Sequence, residues 1–559
     1  MTTPPLHRRT VLGTASAGAA ALAVACPDGG SAAAAAEAPA RRRSPFRHGV
    51  ASGDPLPHAV LIWTRLTPTA ASTPGSGQGP RVAVRWEVAT DAAFQRVVRR
   101  GTFQTGPARD HTVKVDVTGL EPATWYHYRF RYGAATSPVG RTRTAPAADA
   151  TPDHVRFGVV SCANLQAGWF SAYRGLAARD DLHAVLHLGD YLYEYGPGQY
   201  GYGISDRDIR PHVPAHEMVS LADYRQRHAQ YKQDPDLQAL HAKYPWIITW
   251  DDHEVANDAY RDGAENHNTD LGEGSFLKRR ARAHRAYDEW MPVRMDGTAR
   301  LGDGDRLFRR LRFGRLAEIS MLDLRSYRDA QVPFPGPAVS DPDRSITGRQ
   351  QLDWLKQSLS RGRAQWKIIG NPVMIAPVDF AALPHDLVDP VNDVTGLIPR
   401  DGIPYNVDQW DGYTDDRREV FEHIRDHQVT DALFVTGDIH SGWACELPYD
   451  ASTYPVGDSA GVEFVCSSVT SNNLKDITGT PPHSTSTVVE GIIKANNRHI
   501  KYLNFDDHGF SVLDVTPTRA QMDWYVIGDR AERDTPITWS VSYATKTGTG
   551  RVEQVSEPV

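Results

Sequence analysis

Cysteine is scarce in this sequence, four in 559 residues, which excludes a disulfide-dense mini-scaffold. A basic excess is missing too. Lys and Arg number 61 against 68 Asp and Glu, a net charge of −7, so the whole-chain balance gives no sign of nucleic-acid binding. No apolar run reaches the roughly 18–20 residues that span a bilayer, and no stable membrane anchor is expected. Internal repeats are absent, and only Ala32–Ala36 is low in complexity. What is present is an ordinary globular composition, 40% hydrophobic and 23% charged, in a chain long enough for several domains.

Residues 1–40 read as an export signal. Arg8-Arg9-Thr10-Val11-Leu12 is a twin-arginine pattern, followed by a weakly apolar run from Val11 to Cys26 and then by small residues. The expectation is passage through the Tat machinery and secretion. Ala23-Val24-Ala25-Cys26 resembles a lipoprotein cleavage site but lacks the usual leucine. Tat substrates typically cross the membrane folded, which favours a metal loaded beforehand.

Residues 41–146 have the short, alternating grammar of a fibronectin type III-like β-sandwich. Arg81–Val88, Thr112–Val117 and Trp125–Tyr132 alternate apolar and polar residues and are separated by Gly- and Pro-rich turns. Residues 145–152 read as a linker. From 153 to 530 the pattern changes to buried apolar runs alternating with helical stretches at 275–290, 348–360 and 413–426, the signature of α/β layers. Residues 531–559 are taken as a C-terminal tail.

Five of the apolar runs end in polar clusters: Ser161-Cys162-Ala163-Asn164, Gly189-Asp190-Tyr191-Leu192-Tyr193, Asp251-Asp252-His253-Glu254, Gly370-Asn371-Pro372 and Gly437-Asp438-Ile439-His440. A single Gly-Asp at a strand end is usually a turn or helix cap, and a single buried Cys is usually structural. Five clusters at the same end of successive strands point instead to one crevice at the carboxyl edge of a sheet. Cys162, Asp190, Tyr193, Asp252, Asp438 and His440 form a mixed O/S/N set whose carboxylates would repel unless cations neutralise them. Asp190 is placed to bridge two ions, and His253 to protonate a leaving oxygen.

The segments GVASGDP (49–55), SCAN (161–164), GDYLY (189–193), WDDHE (250–254), DLRSYR (323–328) and GDIHSGW (437–443) together resemble the PhoD-type alkaline phosphatases, a branch of the calcineurin-like metallophosphoesterases related to the purple acid phosphatases. The resemblance covers essentially the whole mature chain. It implies a four-layer α/β/β/α metallophosphoesterase domain behind the sandwich, with Fe(III) and Ca2+ as cofactors. Cys162, Asp190, Tyr193 and His440 would hold the iron; Asp190, Asp252 and Asp438 would serve the calcium. Asn371 stands where the purple acid phosphatases place a metal-binding His, a departure from that pattern, and it is not counted among the ligands. Arg325 is expected to face phosphate, the alternative being a buried salt bridge with Asp323 or another carboxylate. The implied activity is hydrolysis of a phosphate-ester substrate by a metal-activated hydroxide, with mono- against diesterase and phospholipase D-like preference left open.

Two other functions compete. Gly457-Asp458-Ser459-Ala460-Gly461 matches the nucleophile-elbow pattern, with Asp506 and His508 downstream, but a strand-like run follows where the elbow needs a helix. A non-catalytic extracellular binding module would have no need of His253. Gly196–Gly201 and His253–Asn257 match dinucleotide and zincin patterns only in part. Cys445 and Cys466, flanking one loop, are either a disulfide or two buried thiols.

Overall fold

Strands buried on both faces need no polar alternation, and the apolar runs after residue 153 form such strands. The computed structural model describes residues 44–333, 336–395 and 400–559; the expected export signal lies outside the described residues. Val155–Val160, Ala184–Leu188 and Pro245–Thr249 lie side by side in parallel. Val50–Leu56 joins Pro245–Thr249 in the same sense, followed by antiparallel Ala59–Arg65 and Thr112–Thr118. On the other flank Gly509–Val515, Arg519–Ile527, Ile537–Lys546 and Glu553–Val555 form an antiparallel meander, completing ten strands. Residues 537–555, expected as part of a tail, are therefore structural. Tyr543 packs into the core between the two sheets, and Ala544 is buried beside it.

A second, seven-stranded sheet has Ala317–Met321, Trp366–Asn371, Ala432–Thr436 and Ser459–Val465 in parallel at its centre. The strand period of two sorts side chains between layers. Phe157, Val159, Leu186, Leu188 and Ile247 of the first sheet meet Ile319, Met321, Ile368, Leu433, Val435 and Phe464 of the second. On the first sheet's outer face, Val160, Val185, Trp246 and Ile248 pack beneath helices Ser171–Ala178, Leu221–Tyr231, Pro235–Lys243 and Phe276–Trp290. On the second sheet's outer face, Ile369, Phe434 and Val465 pack beneath Arg349–Arg361, Thr414–Asp426 and Thr485–Asn496. The layers are α/β/β/α. The three helices read from the sequence lie within one residue of their expected bounds.

The β-sandwich is present, and one of its sheets is the flank of the ten-stranded sheet itself. Val60, Ile62, Val113 and Val117 from that flank pack against Val84, Val88, Tyr128 and Phe130 of a separate five-stranded sheet. Residues 44–559 accordingly form one compact unit.

Candidate metal centre

The parallel strands of both sheets run out at one edge, where the polar clusters meet. Four residues there have left-handed backbones: Cys162 (φ +59°), Asp190 (+56°), Asp438 (+65°) and His440 (+55°). Non-glycine residues adopt this region rarely, at about 1–3 kcal/mol each, and such strain gathers at functional sites. Close approach of the strand ends needs glycine. A Cβ on Gly189 (φ +108°) would lie 2.5 Å from that of Asp251, and one on Gly437 would lie 2.7 Å from the Ser161 side chain. The helix Leu221–Tyr231 secures the first loop: Tyr231 Oη accepts the Leu165 N–H at 2.9 Å, three residues past Cys162.

Three overlapping sets of donor atoms result, the atoms of each within 4.8 Å of one another: Cys162, Asp190 and His440; Asp190, Asp252 and His253; Asp251, Asp252 and Asp438. Asp190 belongs to the first two and Asp252 to the last two. Tyr193 adjoins the first, its hydroxyl donating to Asp190 Oδ2 at 2.8 Å and lying 3.3 Å from His440 Nε2. Asp190 Oδ1 and Asp252 Oδ1 are buried with no hydrogen-bond partner. A buried carboxylate oxygen left unpaired is costly, so two of them facing one crevice with thiol, phenol and imidazole donors fit a cation site.

The electrostatics agree. Burial and neighbouring carboxylates push the Asp190 and Asp438 carboxyls well above the usual range, as they do the Cys162 thiol. Asp252 goes the other way: burial raises it, but Arg325 and His253 together hold it below normal. His440 is pushed down to about 4, chiefly by burial, which leaves a neutral imidazole able to donate a lone pair. Its Nδ1 lies 2.7 Å from the Asn472 carbonyl, leaving Nε2 for the cluster. His253 is raised well above its ordinary value, because Asp252, Glu194 and Asp190 outweigh its burial.

The sequence-expected residues are brought together at this edge, Arg325 among them. Arg325 does not present a free guanidinium. It grips both Asp251 oxygens at 2.6 and 2.9 Å and Asp408 at 2.9–3.0 Å, and it is 3% exposed. Its Nη2 lies 3.7 Å from both Asp252 and Asp438. The salt-bridge alternative is the one observed, with Asp251 and Asp408 rather than the Asp323 side chain. Asn371 belongs to none of the donor sets: its Oδ1 accepts the Trp410 indole N–H at 3.1 Å and its Nδ2 donates to the Val373 carbonyl at 2.5 Å. The sequence motifs assign no role to Glu194, Glu254 or Asp408. Glu194 accepts from His253 Nδ1, and Glu254 accepts the backbone N–H groups of Asp190, Tyr191 and Asp251, bracing two loops. Glu194 follows GDYLY and Glu254 closes WDDHE, a signal available in the sequence; Asp408 has none.

Ser459 is no nucleophile. It opens the strand Ser459–Val465, and its hydroxyl donates to the Gly461 carbonyl while accepting the Leu447 N–H. His508 lies against Ser468 and Asp476 instead. Cys445 and Cys466 are both free and buried, with Cys445 under the helices and Cys466 between the sheets, so the disulfide alternative fails.

Comparison with known proteins gives a consistent result. A family model described as PhoD-like phosphatase matches residues 157–524, and a model of the PhoD-like phosphatase N-terminal domain matches residues 31–146. Alkaline phosphatase D of Bacillus subtilis (strain 168) is 35% identical over 508 residues, 89% of this chain and 80% of that protein. A solved PhoD structure superposes with a TM-score of 0.81 at 34% identity, covering 93% of this chain and 94% of that one. A purple acid phosphatase from yellow lupin (Lupinus luteus) gives 0.47 at 11% identity, covering 89% and 73%.

Proposed function

The chain belongs to the PhoD-like phosphatase family and is a phosphoester hydrolase, and from that premise we propose a secreted, metal-dependent enzyme acting on phosphate monoesters, diesters or both. The observation that carries metal dependence is the shared carboxylate: Asp190 stands in two donor sets with one buried oxygen unpaired. Cys162, Asp190, Tyr193 and His440 would hold Fe(III), the thiol, phenol and imidazole suiting a transition ion. Asp190, Asp252 and Asp438 would hold Ca2+, for which oxygen donors are apt. When bound, the ions supply Lewis-acid charge toward phosphoryl oxygens and an activated water.

The chain's own residues then position and protonate. Glu194 holds His253 by Nδ1 at 2.8 Å, which leaves Nε2 to carry a proton to the departing ester oxygen. Arg325 acts as a positioning cation: it fixes Asp251 and Asp408 and offsets the repulsion between Asp252 and Asp438. Secretion rests on the twin-arginine pattern at Arg8-Arg9; among the described residues no helix is long and apolar enough to cross a membrane.

The test is hydrolysis of p-nitrophenyl phosphate and bis-p-nitrophenyl phosphate by Tat-exported protein, with and without EGTA, alongside metal analysis. Activity lost to EGTA, restored by calcium and accompanied by retained iron is the expected result. Activity indifferent to chelators and to metal content would overturn the reading. The ratio of the two rates measures the preference between monoester and diester.

A further inference from the structure

The net charge of −7 conceals a strong asymmetry. Residues 44–146 hold 13 Lys and Arg against 6 Asp and Glu, a net of +7, whereas residues 147–559 hold 43 against 60, a net of −17. Much of the positive charge lies on one surface. In the five-stranded sheet the inward face carries Val84, Val88, Tyr128 and Phe130. Alternation sends Arg85, Arg100, Arg129 and Arg131 to the other face; Arg141 and Arg143 lie at the covered end of that face, where Trp125 packs on Tyr244. The registered pairs leave one carboxylate among them: Glu87 stands opposite both Arg100 and Arg129 and accepts from Arg129 Nε at 2.7 Å.

Arg85 and Arg131 stand directly opposite each other on adjacent strands. Like charges in that relation destabilise a sheet, and among the described residues neither has a carboxylate partner. Folding gains nothing from this pairing of like charges, which leaves both guanidiniums free for an external anion. One of its arginines is also ordered in advance. The Arg129 guanidinium stacks 3.9 Å from the Phe94 ring centroid. Such stacking limits the side-chain entropy lost when the planar fork grips an anion.

We propose that this outward face of the N-terminal sandwich binds a linear, non-aromatic phosphate polymer. Neighbouring strands are ~4.8 Å apart and alternate residues on a strand ~6.6 Å apart, so the cations form an array that a single small anion would not fill. Guanidinium forks match phosphate oxygens in pairs. A single-stranded nucleic acid would call for open stacking platforms, and Trp125 is covered by Arg141 and packed on Tyr244. The choice of phosphate over other anions rests on the phosphoester reading above; the cationic face does not.

The experiment measures binding of long-chain inorganic polyphosphate to the full metal-loaded protein at several salt concentrations, and compares it with R85Q/R131Q and, separately, D252N. The double variant is expected to bind at least tenfold more weakly at low salt. Its log–log salt slope should shrink by about 1.4, the value for two lost phosphate contacts on a single strand. Its melting temperature should not fall, since a like-charge pair has been removed, and its p-nitrophenyl phosphate turnover should be unchanged. D252N should keep the binding. Wild-type affinity in R85Q/R131Q would overturn the proposal, as would equal affinity for a sulfated polymer of matched charge density. Polyphosphate binding that persists in a protein inert toward both nitrophenyl esters would overturn the hydrolase reading alone.

Discussion

Glu194 receives His253 Nδ1 at 2.8 Å, and its other oxygen accepts from the Asn257 backbone and the Asn266 side chain at 2.7 and 2.8 Å. A fully buried carboxylate with every oxygen engaged is a rigid support, and it dictates which imidazole nitrogen faces the donor cluster. Removing the support with Glu194→Ala should lower kcat about 10–100-fold, the usual effect of an outer partner on a metal site. His253→Ala should lose about 10²–10⁴-fold, as expected for a general acid. Steady-state kinetics paired with metal analysis separates the roles. Both variants should keep their metal content; depletion of metal in either would make His253 a ligand rather than a proton donor.

Asp190 and Asn371 make opposite predictions from similar positions at strand ends. Asp190 offers an unpaired buried oxygen to two donor sets, whereas both amide atoms of Asn371 are already bonded to Trp410 and Val373. Asp190→Asn should therefore lower the content of both metals and abolish turnover. Asn371→Ala should keep its metal and instead lose about 1–3 kcal/mol of stability, because the Trp410 N–H is left without its acceptor. Metal stoichiometry decides the matter, and metal loss in the Asn371 variant would restore it as a ligand.

These contrasts indicate what the sequence made legible. Strand ends at Cys162, Asp190, Asp252 and Asp438 could be read because each follows an apolar run long enough to mark a buried strand. The convergence of two separate sheets on one edge brought His440 within reach of Tyr193, 247 residues away in the chain. Glu194 escaped notice because a glutamate after a motif looks the same whether solvated or buried. The strand Ile537–Lys546 lies beyond the last sequence motif, and only pairing with Arg519–Ile527 gives it a place. Cys445 and Cys466 flank one loop in the sequence, but they enter different layers of the core. Spacing along a strand conveys which face a residue takes, not what covers that face.

Arg325 should report on the carboxylates it holds. Asp251, Asp252, Asp408 and Asp438 all lie within 3.7 Å of its guanidinium, and all are largely buried. Arg325→Met leaves those charges uncompensated and should cost about 3–5 kcal/mol, the range for breaking a buried ion pair from one side. Urea unfolding of the apo protein measures it. A phosphate-facing arginine would behave differently, raising KM for p-nitrophenyl phosphate with stability intact, and that result would return Arg325 to the substrate.

Acid should weaken the fold through histidines that are buried neutral. Burial pushes His187 down to about 3 and His499 to about 4. Both are fully enclosed, His187 stacked on Trp246 and His499 with Nε2 2.8 Å from the Pro377 carbonyl. In the unfolded chain each takes up a proton near pH 6.5, while the folded protein refuses it until much lower pH. The unfolded state then binds more protons, so stability is full above about 6.5 and falls as pH drops toward 3–4. Each histidine contributes a slope of up to ~1.4 kcal/mol per pH unit in that window. Buried carboxyls such as Asp251, raised to about 6 by burial, work in the opposite direction, so the histidine term must be isolated by difference. Denaturant unfolding of wild type and His187→Gln from pH 7.5 to 5 provides it. The variant should lose stability at neutral pH from poorer packing, yet its curve should be flatter by close to one proton. Parallel curves would mean that His187 is protonated in the folded state, and that its enclosure between Tyr173 and Trp246 does not exclude the charge.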